Sequence, residues 1–332
     1  MMTTKPKLTT RGPRVAGALA FTLAMSIGAC SDADPTGPRT AAEGVEHPPQ
    51  SIVNGEDDFD HSAVAAIMIY EPTFPADPGW RSFCTATLIH KRVLTTAGHC
   101  IQGLEARLAA GSIQAVWISF QHDPEANFNE NPADADPTTG GWYEIESLHD
   151  NPDNPNWLDI PSILPLFPLP NVHDSGAIIL RQSVKGIQPM KMPTRPGEVE
   201  KRLAKAGCDE QTPDCGLRFV GYGLTEFPPT MFAPPQMRLS APLRWKGTDP
   251  LWVVTEQGLP GAEFGAVCLG DSGGPLVLVK DNGRDRIITA MGSPPEDPDD
   301  PPCTGGALHY RVDTVSHLAF IEEVVLKSLR GR

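Results

Sequence analysis

Basic residues are in short supply. The 332-residue chain has 27 Lys and Arg against 41 Asp and Glu, a formal net charge of −14. Residues 52–332 alone carry 22 basic against 37 acidic residues. A surface of that sign repels polyanions, so neither nucleic acid nor an anionic lipid surface is an expected partner. Long apolar runs are lacking as well. The stretch from Val15 to Ile27 is too short to hold a bilayer span. No self-similar repeat of about 20–50 residues is visible, which excludes solenoids and propellers. Acid-rich, proline-rich segments do occur at His122–Gly141, Asn151–Val172 and Pro294–Pro302. None has the alternating oxygen ligands of a roughly twelve-residue calcium loop, so they read as solvated insertions.

What is present is concentrated chemistry. Gly270-Asp271-Ser272-Gly273-Gly274-Pro275 places a hydroxyl on a glycine-flanked turn. Glycine lets the backbone approach a bound carbonyl closely and aim its N–H groups at it. By itself such a run also suits an ordinary polar turn. A base is available upstream, where the β-prone runs Thr85–Ile89 and Arg92–Thr96 lead to Ala97-Gly98-His99-Cys100. An acid lies between them, because His173-Asp174-Ser175-Gly176 opens directly into the apolar run Ala177–Leu180. Asp150, Asp153 and Asp159 also fall between His99 and Ser272, but they stand among Asn and Pro and are expected in a loop.

Thr96-Ala97-Gly98-His99-Cys100 and Gly270–Pro275 together resemble the histidine and serine segments of the chymotrypsin/trypsin-type serine proteases. His173–Leu180 resembles that family's aspartate segment, with Ser175-Gly176 in place of an apolar-Ala pair. The resemblance implies a triad of His99, Asp174 and Ser272, with the backbone N–H groups of Gly270 and Ser272 as the oxyanion hole. It implies no metal and no organic cofactor. It implies disulfides Cys84–Cys100 and Cys268–Cys303, and leaves Cys208–Cys215 as a local staple without a family counterpart. Ile52-Val53-Asn54-Gly55 resembles the family's mature start, with Asn54 replacing a glycine. Cleavage before Ile52 would then free an amine to pair with Asp271, and the uncut chain would be a zymogen. Ser51 precedes that bond, so the activator would not be tryptic; another protease or the enzyme itself is expected. The residue six before the nucleophile is Ala266, where trypsin-like members carry aspartate. With Val267, Gly292 and Ala307 it implies a small-to-medium apolar pocket, not one for Arg or Lys. His309 is expected near the pocket base, buried in its wall. Ala290 departs from the serine that usually bonds the triad aspartate.

Lys5, Lys7, Arg11 and Arg14 ahead of Val15–Ile27 describe a secretory signal peptide. Its end, Ile27-Gly28-Ala29-Cys30, resembles a bacterial lipobox; the alternative is an ordinary signal peptide with an incidental cysteine. Seven cysteines, less a lipidated Cys30, leave six to pair. Residues 1–29 are therefore expected as signal peptide, 30–51 as a disordered tether, and 52–332 as one protease domain. The expected product is an exported monomer, anchored through a lipid on Cys30 until it is cut and then periplasmic or extracellular. Its partners would be peptide or protein substrates.

The fold class follows from many short β-prone runs divided by Pro- and Gly-rich turns. They read as all-β, and the resemblance implies two antiparallel six-stranded β-barrels with a C-terminal helix. His99 and Asp174 would come from the first barrel and Ser272 from the second. The tail repeats Val315, Leu318, Ile321, Val325 and Leu329 at helical spacing, expected as that helix's core-facing stripe. Two rival functions stand beside the protease: a catalytically silent binding or adhesion module on the same scaffold, and an esterase. The esterase lacks its Gly-x-Ser-x-Gly elbow here.

Overall fold

The computed structural model describes residues 52–72, 79–124, 141–155, 172–223, 237–279, 287–295 and 303–330. Cys30, Ser51, the expected signal peptide and tether (1–51), Asp159 and most of the three acidic insertions lie outside the described residues. Six strands close into a barrel in the order β2 (Val64–Glu71), β3 (Gly79–His90), β4 (Val93–Thr96), β7 (Gly176–Leu180), β6 (Trp142–Asp150) and β5 (Ala115–Ser119). All the neighbours pair antiparallel. The second unit is a seven-stranded sheet. Its order is β1 (Glu56–Asp57), β9 (Leu239–Thr248), β10 (Trp252–Glu256), β13 (Gly306–Arg311), β12 (Ile287–Pro295), β11 (Pro275–Leu278) and β8 (Leu217–Gly221). Strand β8 also pairs back onto the first half of β9, so the sheet curls round on itself.

Strand alternation builds the cores. In β2, Ala65, Ile67 and Ile69 point into the barrel with Leu88, Leu94 and Ile178. The intervening Val64, Ala66 and Met68 face the other way and pack on Val220, Tyr222 and Val277 of the second sheet. With a period of two, one strand thus fills both the barrel and the seam between the units. The second core gathers Ile52, Phe219, Leu239, Leu243, Val253 and Leu276.

Three helices lie among the described residues: α1 (Gly98–Ala109), α2 (Glu198–Ala206) and α3 (Val315–Arg330). The C-terminal helix forms, and its buried face overlaps the expected stripe only at Ile321, with Val325 partly buried. His317, Phe320, Ile321, Val324 and Ser328 are buried. Val315 is 70% exposed and Leu329 46% exposed. Phe320, Ile321 and Val324 rest on Val93, Ala177 and Ile179 of the barrel. A polar His317 and Ser328 on the inner face hid the phase of that stripe. Disulfides join Cys84–Cys100, Cys208–Cys215 and Cys268–Cys303, a pattern suited to an oxidising compartment. No helix among the described residues is long and apolar enough to cross a membrane.

Candidate active site

Strand β4 is buried throughout and delivers its chain end to α1, whose second residue is His99. The Cys84–Cys100 bridge ties that first turn to β3. Asp174 stands just ahead of β7, which pairs with β4. Its Oδ1 accepts the His99 backbone N–H at 2.8 Å, and its Oδ2 lies 2.9 Å from His99 Nδ1. Close packing of α1 on β7 requires glycine at 176, since a Cβ there would stand 2.4 Å from Ile101 Cγ1. That accounts for Gly176, while Ser175 Oγ accepts from Asn151 Nδ2 at 3.1 Å. Asp174 is fully buried, while the His99 side chain keeps 23% of its surface open. The ring can therefore exchange protons while its acid partner is shielded. Burial alone would lower the imidazole pKa; the charge and hydrogen bond of Asp174 outweigh it and hold His99 above its ordinary value.

Ser272 sits on the loop entering β11 and is largely buried. Two threonines, missed in the sequence, fasten this loop to the barrel. Thr85 donates its N–H to Ser272 O at 2.8 Å. Its Oγ1 donates to Gly270 O at 3.0 Å and accepts from Tyr222 N at 3.1 Å. Thr96 Oγ1 in turn donates to Thr85 O at 2.8 Å. In the sequence both threonines look like ordinary β-formers; their full burial as polar residues is the signal, and only packing reveals it.

Gly273 lies at the closest approach. It has φ +82, and a Cβ there would stand 2.1 Å from Thr96 Oγ1, 2.4 Å from Thr85 O and 2.8 Å from Ala97 N. The residue after Ser272 therefore touches the two residues that lead to Gly98 and His99, which brings the serine and histidine segments together. Gly273→Ala is expected to cost more than about 3 kcal/mol, from a left-handed backbone plus contact with backbone atoms that cannot yield. Urea unfolding checks it, and a midpoint unchanged from the parent would contradict this packing.

Asp271 is fully buried beneath the loop. Gly223 N–H donates to its Oδ1 at 2.7 Å and Cys268 N–H to its Oδ2 at 2.8 Å. Burial pushes its carboxyl up to about 7 despite those two hydrogen bonds. Among the described residues it has no cationic partner. Ile52 is also buried, in the core cluster that includes Val267, and it has φ +53. Val53 and Ala266 exchange two backbone hydrogen bonds of 3.1 Å. Asn54, the departure from glycine, uses its side chain. Its Nδ2 donates to Leu259 O and Phe264 O, both at 2.9 Å, and its Oδ1 accepts from Gly261 N at 2.8 Å.

Ala266, Val267 and Ala307 are buried, and Gly292 lies on β12 beside β13. His309, on β13, is buried against Phe219, with Nε2 2.8 Å from Thr255 Oγ1. Burial pushes its pKa down to about 3, so it is a neutral, buried residue. Asp150 departs from its expected place: it is the last residue of β6 and not part of a loop. Ligand atoms of Cys84, His99 and Cys100 lie close together. Both sulfurs belong to the Cys84–Cys100 disulfide and offer no thiolate to a metal.

No protein-family model matches the chain, and a search of curated proteins found no match. Among solved structures, human heparin binding protein matches with a TM-score of 0.50 at 17% identity. The match covers 82% of this chain and 96% of that one. The chain has a chymotrypsin-like fold. At such identity the likeness speaks of the fold alone. Within this chymotrypsin-like fold, His99 and Asp174 belong to the closed barrel and Ser272 to the second sheet. Thr85 ties the Ser272 loop to the barrel, and Thr96 holds Thr85 from the next strand.

Proposed function

We propose that this chain is a serine endopeptidase. Ser272 Oγ attacks the scissile carbonyl while His99 takes its proton, giving a tetrahedral oxyanion held by the N–H groups of Gly270 and Ser272. His99 then protonates the leaving amine, and water repeats the sequence on the acyl-enzyme. Asp174 holds the imidazole tautomer and stabilises the imidazolium. The observation that carries this reading is the Asp174 carboxylate on both the backbone N–H and Nδ1 of His99. With Nδ1 engaged by Asp174, Nε2 is the ring nitrogen that acts as base.

In this proposal residues 1–29 are a signal peptide, 30–51 a tether and 52–332 the protease domain. Export with a lipid on Cys30 precedes cleavage before Ile52, which releases the domain. The unneutralised Asp271 supports that order, because a freed Ile52 amine supplies the missing cation. The buried apolar floor at Ala266 supports cleavage after small-to-medium apolar residues. The matched human protein is named for binding heparin, a polyanion; a net charge of −14 argues against that property here.

The test incubates the domain starting at Ile52 with a mixed peptide library, beside a Ser272→Ala control. Cleavage by the parent alone, after apolar residues, is the expected result. If the parent neither cuts any peptide nor labels with a fluorophosphonate, it is no serine peptidase, and the silent binding module takes its place.

A further inference from the structure

The reaction just proposed uses Asp174 behind His99 and leaves a second carboxylate unexplained. Asp150 ends β6 with Gly176 as its register partner, two residues past Asp174. Its Oδ2 accepts from Gln102 Nε2 at 2.6 Å and its Oδ1 from Asn154 Nδ2 at 2.9 Å. Gln102 stands three residues after His99, on the neighbouring turn of the same helix face. The other side of this clamp bears on the residue before the histidine. A Cβ on Gly98 would lie 2.8 Å from Asp150 Oδ1 and 2.2 Å from Asn154 Nδ2. The carboxylate is thus fitted against the first turn of α1, both before and after the imidazole. Ala97, at the N-cap, gives that turn no side-chain hydrogen bond; Asp174 accepts the His99 N–H, and a second negative charge is likewise favoured at a helix start.

The charges around the pair are few. His99 faces Asp174 from the turn before β7 and Asp150 from β6; both raise its pKa against the effect of burial. Asp150 faces Gln102 of α1, Asn154 of the following loop, and Asp174. Burial, joined by the Asp174 charge, holds its carboxyl above the ordinary value against the amide hydrogen bonds. No cation pairs with Asp150 among the described residues.

We propose that Asp150 is a positioning residue. It clamps the first turn of α1 through Gln102 and Asn154, and it adds a second negative charge behind the imidazolium that forms when Ser272 yields its proton. The proposal rests on the peptidase reading above, and its test is separable from it.

The full chain carrying Ser272→Ala, which cannot cut itself, is titrated by following the His99 ring resonance with and without Asp150→Asn. The amide keeps the size of the side chain and, with Asn154 turned over, both hydrogen bonds. The His99 titration should move down by about half a pH unit. In protein with Ser272 intact, the acid limb of kcat/KM should move with it. An unchanged His99 titration overturns the proposal. In the unsubstituted chain, the Asp150 carboxyl resonance should show a second inflection where His99 titrates; its absence overturns the charge coupling even if Asp150→Asn does not fold. Gln102→Ala keeps the charge but loses the clamp, so kcat should fall about tenfold at steady KM with the His99 titration in place. A kcat equal to the parent's overturns the positioning role. A chain that cuts no peptide refutes the peptidase reading, while the two titrations still decide whether Asp150 acts on His99.

Discussion

Asp174→Asn is expected to lower kcat for peptide hydrolysis by roughly 10⁴-fold at neutral pH without unfolding the chain. The reason lies in how the carboxylate divides its oxygens. One accepts the fixed backbone N–H of His99, the other faces Nδ1. An amide has a single acceptor oxygen, and the backbone donor cannot turn away, so the oxygen goes there. The NH₂ group then faces Nδ1 and forces it to accept, which moves the ring proton to Nε2. The nitrogen that should take the Ser272 proton already carries one. Steady-state kinetics gives the rate, and the ring nitrogen resonances of His99 give the tautomer. A variant within tenfold of the parent would mean that Asp174 does not act as the acid of the triad.

The stability of the uncut chain should fall by about 3 kcal/mol as pH rises from about 4 to about 7, through Asp271 alone. Its folded pKa is raised from 3.8 to about 7 by full burial. A carboxyl with a raised folded pKa binds its proton more tightly in the native state. Stability is therefore whole below the unfolded value, declines through the window between the two values, and is level above the folded one. Urea unfolding of the Ser272→Ala chain across this range reads the slope. Asp271→Asn should flatten it, at the cost of one acceptor for the Gly223 and Cys268 N–H groups. Cleavage before Ile52 should remove the loss as well, by supplying an amine whose own pKa then rises; stability would next be lost only on the alkaline side of about pH 8. An uncut chain equally stable at pH 4 and pH 7 would show that Asp271 is neutralised some other way, and the zymogen proposal would lose its physical basis.

Much of the fold was legible because apolar runs of strand length carry their own signal. The reading of Arg92–Thr96 and Ala177–Leu180 corresponds to β4 and β7 within a residue or so, and Thr85–Ile89 lies inside β3. Strands β6, β9 and β13 escaped for a common reason. Trp142–Asp150 mixes apolar and acidic residues, Leu239–Thr248 contains Pro242, Arg244 and Lys246, and Gly306–Arg311 starts on glycine. Each is held by pairing with its neighbours and not by local preference. Helix α1 was hidden because Gly98 and Gly103 weaken a helical pattern. On α3 the period was visible but its phase was not, since His317 and Ser328 lie inward.

Motif and order alone selected His99, Asp174 and Ser272 and named six cysteines that pair. These residue types can be read from a string because their chemistry is intrinsic to the side chain. Only the tertiary structure decided what surrounds them. Thr85, held by Thr96, binds the serine loop to the barrel, Asp150 stands at the turn that carries His99, and Asp271 is buried without a cation among the described residues. Burial, approach distance and the field of a neighbouring charge arise between segments remote in sequence. No local pattern encodes them, yet they set how tightly each proton is held.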